Sequence, residues 1–109
     1  MGETLKVLGQ ANPSATTLTD LYTAPGATEV VASTLVICNR TSGKVEVRVA
    51  VAVAGASDSP EQYLAYDLPI IANDTVTLTM GMTLGAADVV RVYTDTAGVA
   101  FNLFGTEVS

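Results

Sequence analysis

Valine stands at every second position from Lys44 to Gly55: Val45, Val47, Val49, Val51 and Val53 alternate with Glu46, Arg48, Ala50, Ala52 and Ala54. Successive side chains of a β-strand point to opposite faces, whereas a helix repeats about every 3.6 residues, so this run predicts a strand. One face is written in valine and is assigned to a core. The other begins charged at Glu46 and Arg48 and turns apolar at the three alanines. A two-layer sandwich leaves its outer faces wet, so the alanines ask what covers them.

The preceding segment Glu29–Asn39 poses the same question. Strict alternation puts Val31, Leu35 and Ile37 on one face, and Val30, Ala32, Val36 and Cys38 on the other. Both faces are largely apolar, which predicts cover on both sides. Loops of the same chain are one cover. A second subunit is the other, and the reading favours it, with Ala50, Ala52, Ala54, Val30, Ala32 and Val36 as the interface residues.

The rest of the chain punctuates itself as short strands. Asn12-Pro13-Ser14, Pro25-Gly26, Thr41-Ser42-Gly43, Gly55–Pro60, Ala72-Asn73-Asp74, Gly85–Asp88 and Asp95–Gly98 are turn or loop signals. Between them lie strand candidates at 4–8, 17–22, 29–39, 44–54, 62–68, 74–80, 89–94 and 99–105. The short loops at 41–43 and 95–98 predict two β-hairpins. In 74–80 Val76, Leu78 and Met80 alternate cleanly with Thr75, Thr77 and Thr79. No run is long enough for the crossover helices of a parallel α/β fold. The expectation is an all-β chain of seven to eight strands, one antiparallel β-sandwich domain over 1–109, either a jelly roll or an immunoglobulin-like Greek key. The absence of tryptophan and of a cysteine pair excludes an antibody-type domain.

Composition narrows function. The 109 residues carry five basic and eleven acidic side chains, a net charge of −6. Nucleic-acid binding needs clustered basic residues, so it is excluded, and an anionic membrane surface is disfavoured for the same reason. No apolar run reaches the roughly 18 residues of a membrane-spanning helix. MGETLKVLGQ lacks the basic and apolar regions of a signal peptide, so the expected place of synthesis is a cytoplasm. Histidine is absent, which removes the commonest general base and metal ligand together. The lone Cys38 forms no internal disulfide and reads as a buried small hydrophobe. No catalytic residue, metal site or cofactor is implied, and an enzyme would have to work through a carboxylate pair such as Asp67 and Asp74.

Two weaker signals remain. Asp58, Asp67, Asp74, Asp88 and Asp95 lie near strand ends or in loops; converging, two or three of them form a calcium site, but the simpler reading is that each caps a turn. Asn39-Arg40-Thr41 and Asn73-Asp74-Thr75 match the N-glycosylation pattern and read as coincidence without a secretory signal. A sugar-binding face would show two or three aromatics in line. Tyr63 and Tyr66 are three apart, which on a regular strand places them on opposite faces.

The segments LGQANPSATTLTDLYTAPGATEVVASTLVICNR (8–40), YLAYDLPIIANDTVTLTMGMTLGAADVVRVY (63–93) and FNLFGTEVS (101–109) resemble a family of small tailed-phage virion structural proteins. The resemblance rests on strand and turn punctuation: Leu21-Tyr22-Thr23-x-Pro25, Cys38-Asn39-Arg40, Tyr63-x-Ala65-Tyr66-Asp67, Asn73-Asp74-Thr75, Thr83-Leu84-x-Ala86-x-Asp88 and Phe104-Gly105-Thr106-Glu107. It implies a capsid decoration (cement) protein that sits on the virion surface as a homo-oligomer, a trimer by preference, and binds between subunits of the major capsid protein. The alternative it leaves is a tail, neck or head-fibre component, including a host-surface or carbohydrate-binding module.

Overall fold

The computed structural model describes residues 2–109. Nine strands follow one another: β1 (Glu3–Ala11), β2 (Thr19–Thr23), β3 (Glu29–Asn39), β4 (Val45–Ala52), β5 (Tyr63–Ile70), β6 (Thr75–Leu78), β7 (Met82–Leu84), β8 (Val89–Thr94) and β9 (Val99–Val108). Two antiparallel sheets stack face to face. The first runs β1-β9-β3-β6, with β7 also pairing β3; the second runs β2-β8-β4-β5.

That order decides between the two expected topologies. Strands β6 and β7 both pair along β3 and are interrupted only at Thr79–Gly81, where Gly81 has φ +61°. Counted as one interrupted strand they leave eight, and the sheets read first-last-third-sixth and second-seventh-fourth-fifth. This is the double Greek key of a jelly roll.

The valine face of β4 is core as expected: Val45, Val47 and Val49 are fully buried. They meet Leu35, Ile37, Phe101 and Leu103 of the first sheet in one cluster with Val90, Val92 and Ile70. The row stops earlier than the alternation predicts. The strand ends at Ala52, Val51 is half-buried, and Val53 lies 70% exposed in a 3-10 turn, Val53–Gly55. The clean Val76/Leu78/Met80 row packs on the core while its threonines face solvent.

Neither expected hairpin forms. β3 lies in the first sheet and β4 in the second; β8 and β9 are divided the same way. Facing two apolar rows across the core buries both at once, which side-by-side pairing does not. The crossing after β3 is fastened by Asn39. Its buried amide donates to the carbonyl oxygens of Gly43, Ile70 and Ile71 at 2.9, 3.1 and 3.0 Å, and its Oδ1 accepts from Thr41 N and Oγ1. These bonds satisfy a polar side chain that burial would otherwise penalise. They also leave the Asn39 amide no access for a glycan.

Bulges interrupt four strands, β1, β2, β3 and β5. Against β9, β3 slips register between Ala32 and Thr34, so Ser33 is an extra residue. Val30 and Ala32 therefore share the inward face with Leu35 and Ile37, and Val31 turns outward, the reverse of strict alternation. Gly105 makes this bulge feasible, because a Cβ there would lie 2.2 Å from the Val31 carbonyl oxygen and 2.8 Å from Ala32 Cα. In β5 the register slips twice against β4, between Val47 and Val49 and between Val49 and Ala50. Cys38, expected in the core, is half-buried on the outer face of β3 beside Ile37 and Asn39, which point in.

Candidate functional site

Two outer faces carry the chemistry. On the first sheet, Leu5, Thr106 and Val31 stand side by side across β1, β9 and β3, and Val7, Phe104 and Thr34 form the next row. Leu5 is 84% exposed, Val7 46% and Val31 45%. Leu5, Lys6, Val7, Ser33, Phe104, Gly105 and Thr106 outline a shallow depression of about 460 Å³. The face is apolar along these two rows and bordered by Glu3 and Glu29, which flank Val108 in the next row. Lys6 does not offset this, since its Nζ turns to Glu107 Oε1 at 3.3 Å.

The six expected interface residues do not gather there. Val30 and Ala32 are buried because the Ser33 bulge turns them inward. Ala50 and Ala52 are on the outer face of the second sheet, yet both have no exposed surface within this one chain. The cover is the chain's own. Arg91, beside Ala50 on β8, reaches over the face to the carbonyl oxygens of Ala56 (2.8 Å) and Gly55 (3.4 Å) and pairs with Asp20 Oδ1 at 3.0 Å. Asp88 Oδ1 accepts from Ala54 N at 2.9 Å and pins the same segment. The loop between β4 and β5 thus folds back over the alanines. Ala54 is exposed in the 3-10 turn at φ +54°, and Val36 is half-buried on the outer face of the first sheet.

The second sheet's outer face is instead aromatic and charged. Two residues of β5, Tyr66 and Asp67, sit opposite Arg48, and Asp67 takes a left-handed φ of +56°. Asp67 Oδ1 accepts from Arg48 Nε at 2.7 Å. The guanidinium lies between two rings, 4.0 Å from the Tyr66 centroid and 4.4 Å from that of Tyr93. Such stacking draws the cation to the ring faces. Tyr63 and Tyr66 share this face, contrary to the expectation from their spacing, because the slip opposite Val49 and Ala50 makes Leu64 an extra residue. Their rings meet edge-to-face at 5.1 Å and 86°. Tyr63 donates its hydroxyl proton to Asp58 Oδ1 at 2.8 Å, and burial, then this bond, pushes its phenol up. Arg48, Asp58, Ser59, Pro60, Tyr63 and Tyr66 enclose a cleft of about 430 Å³.

A third cluster joins the sheets at one end. Tyr22 of β2 donates to Glu107 of β9 at 2.5 Å, and Lys6 pairs with the other carboxylate oxygen. Burial, then the Glu107 bond, raises the Tyr22 phenol well above its ordinary value; the Tyr22 bond, then Lys6, holds Glu107 below the usual carboxylate range. Two further aspartates serve a turn and a ladder: Asp88 accepts from Gly85 N, and Asp95 from Glu46 N. Among the described residues no three acidic or cysteine side chains come together as metal ligands.

No protein-family model matches the chain, and no curated protein matches it. Two solved structures are similar, both described as a pentameric capsid protein isolated from metagenomic phage sequences. One is 19% identical, with a TM-score of 0.38, and the match covers 94% of this chain and 62% of that one. The other is 13% identical, with a TM-score of 0.35, covering 94% and 66%. This chain spans less than two-thirds of the length of either, and both scores lie below the level that marks a shared fold.

Proposed function

We propose that this chain is a phage virion structural protein, a decoration protein that assembles with copies of itself on the head surface and binds between major capsid protein subunits. The observation that supports it most is the apolar face formed by the exposed Leu5, Val7 and Val31 with half-buried Phe104 between them on the β1–β9–β3 ladder. A long, flat, apolar strand face is a liability unless something sits on it. The resemblance in strand and turn motifs names a virion as the setting. The jelly roll is a scaffold used by capsid domains, an analogy of fold alone. The interface moves from the six residues expected in sequence to this face, with Val36 at its margin. Its action is by binding, through several weak contacts tied together in one oligomer, which multiplies them.

The test is co-sedimentation with heads built from the major capsid protein of the same virus. Wild-type protein pellets with the heads. Leu5→Arg loses about 2 kcal/mol of apolar burial and adds a charge to the contact, so binding falls by roughly tenfold or more while the fold is unchanged. Equal pelleting of both proteins, or none of either, contradicts the proposal.

A further inference from the structure

We propose that the cleft between the Asp58–Pro60 turn and Tyr66 binds a neutral pyranose ring of a glycan. The site lies on the second sheet and does not rest on the assembly role assigned to the first. Tyr66 is 61% exposed, yet its ring is held by two neighbours, Arg48 stacked at 4.0 Å and Tyr63 packed perpendicular to it at 5.1 Å. Arg48 is itself held by Asp67 at 2.7 Å. An exposed aromatic ring already immobilised loses little freedom when a ligand lands on it. The surface Tyr66 leaves to solvent beside the cleft is aromatic, which suits the C–H groups of a pyranose.

The polar rim supplies both halves of what a hydroxyl needs. Arg48 spends only Nε on Asp67, and among the described residues its two Nη groups have no acceptor. Asp58 accepts the Tyr63 hydroxyl on Oδ1 and leaves Oδ2 open. A sugar hydroxyl accepts from the first and donates to the second. The charge count selects against an anion. Asp58 and Asp67 outnumber Arg48 here, in a chain of net charge −6, so a carboxylated or sulfated sugar meets repulsion. A free cation is also disfavoured, because Arg48 already fills the space between Tyr66 and Tyr93. The volume of about 430 Å³ lies within the usual range for small-molecule sites.

The experiment is a glycan array carrying neutral and acidic oligosaccharides, followed by NMR titration with the methyl glycosides of glucose, galactose, mannose and N-acetylglucosamine. The expected result is binding of neutral glycans with shifts concentrated on Tyr63, Tyr66 and Arg48. Tyr66→Ala, at an exposed position, keeps the wild-type spectrum elsewhere and weakens binding roughly tenfold or more. Asp58→Asn weakens it less and does not create affinity for acidic glycans. Absence of any neutral binder with folded protein overturns the proposal. So does a preference for acidic glycans, or binding that survives Tyr66→Ala.

Discussion

The two outer faces of this sandwich began from the same kind of sequence and ended differently. On β4, small side chains line the outer face, and the chain closes its own loop over them through Arg91 and Asp88. On β1, β9 and β3, large apolar side chains line the outer face, and among the described residues Leu5, Val7 and Val31 stand exposed. Alanine leaves room for backbone to approach, so it marks where a protein covers itself. Leucine, valine and phenylalanine fill that room and leave an apolar surface for another molecule.

A charge placed on each face breaks or sharpens this contrast. Ala52→Arg forces an unpaired cation beneath the β4–β5 loop and costs about 4 kcal/mol or more, seen as loss of a cooperative melting transition near the wild-type Tm. If Ala52→Arg melts like wild type, the loop does not seal that face. Gly105→Ala comes next. Its Cβ collides with the Val31 carbonyl and so opposes the bulge that turns Val31 outward, costing about 3 kcal/mol by denaturant titration. A neutral outcome there would mean that β3 does not need the bulge.

The Tyr22–Glu107–Lys6 cluster gives a smaller effect, read through pH. Glu107 is held below its ordinary carboxylate value of about 4.5, so it contributes stability above that pH and loses it as pH falls through the depressed folded value. Tyr22 is raised, so its contribution is present below about pH 10 and lost as pH climbs beyond it. Tyr22→Phe should cost about 1 kcal/mol at neutral pH and flatten both limbs of the stability profile. Unchanged acid and alkaline limbs would dissociate this cluster from sheet-to-sheet closure. Leu5→Arg is the smallest in stability, within about 0.5 kcal/mol, because the side chain already stands in solvent.

Strand positions were legible because period two is a strong signal, and β3 and β8 match their expected limits residue for residue. Sheet membership was not. A loop of a few residues looks the same whether it joins neighbours or crosses the core, and Asn39, which fastens the crossing, resembles any strand-end asparagine. Facing failed where single extra residues intervene. Ser33 reversed Val30, Val31 and Ala32, and Leu64 brought Tyr63 and Tyr66 together. A bulge leaves a faint trace in composition, here Gly105 across from Ala32. The Tyr66–Arg48–Tyr93 stack spans three strands, β5, β4 and β8, so only the fold assembles it.

The most direct test is the solution mass of wild-type protein and of Leu5→Arg by light scattering with chromatography. The account predicts a wild-type oligomer at an integral multiple of the 11.2 kDa chain, a trimer by preference, and a monomeric Leu5→Arg with the same melting temperature. A wild-type mass of one chain, or an oligomer that Leu5→Arg leaves intact, would contradict the claim that the open apolar face is where this protein meets its own copies.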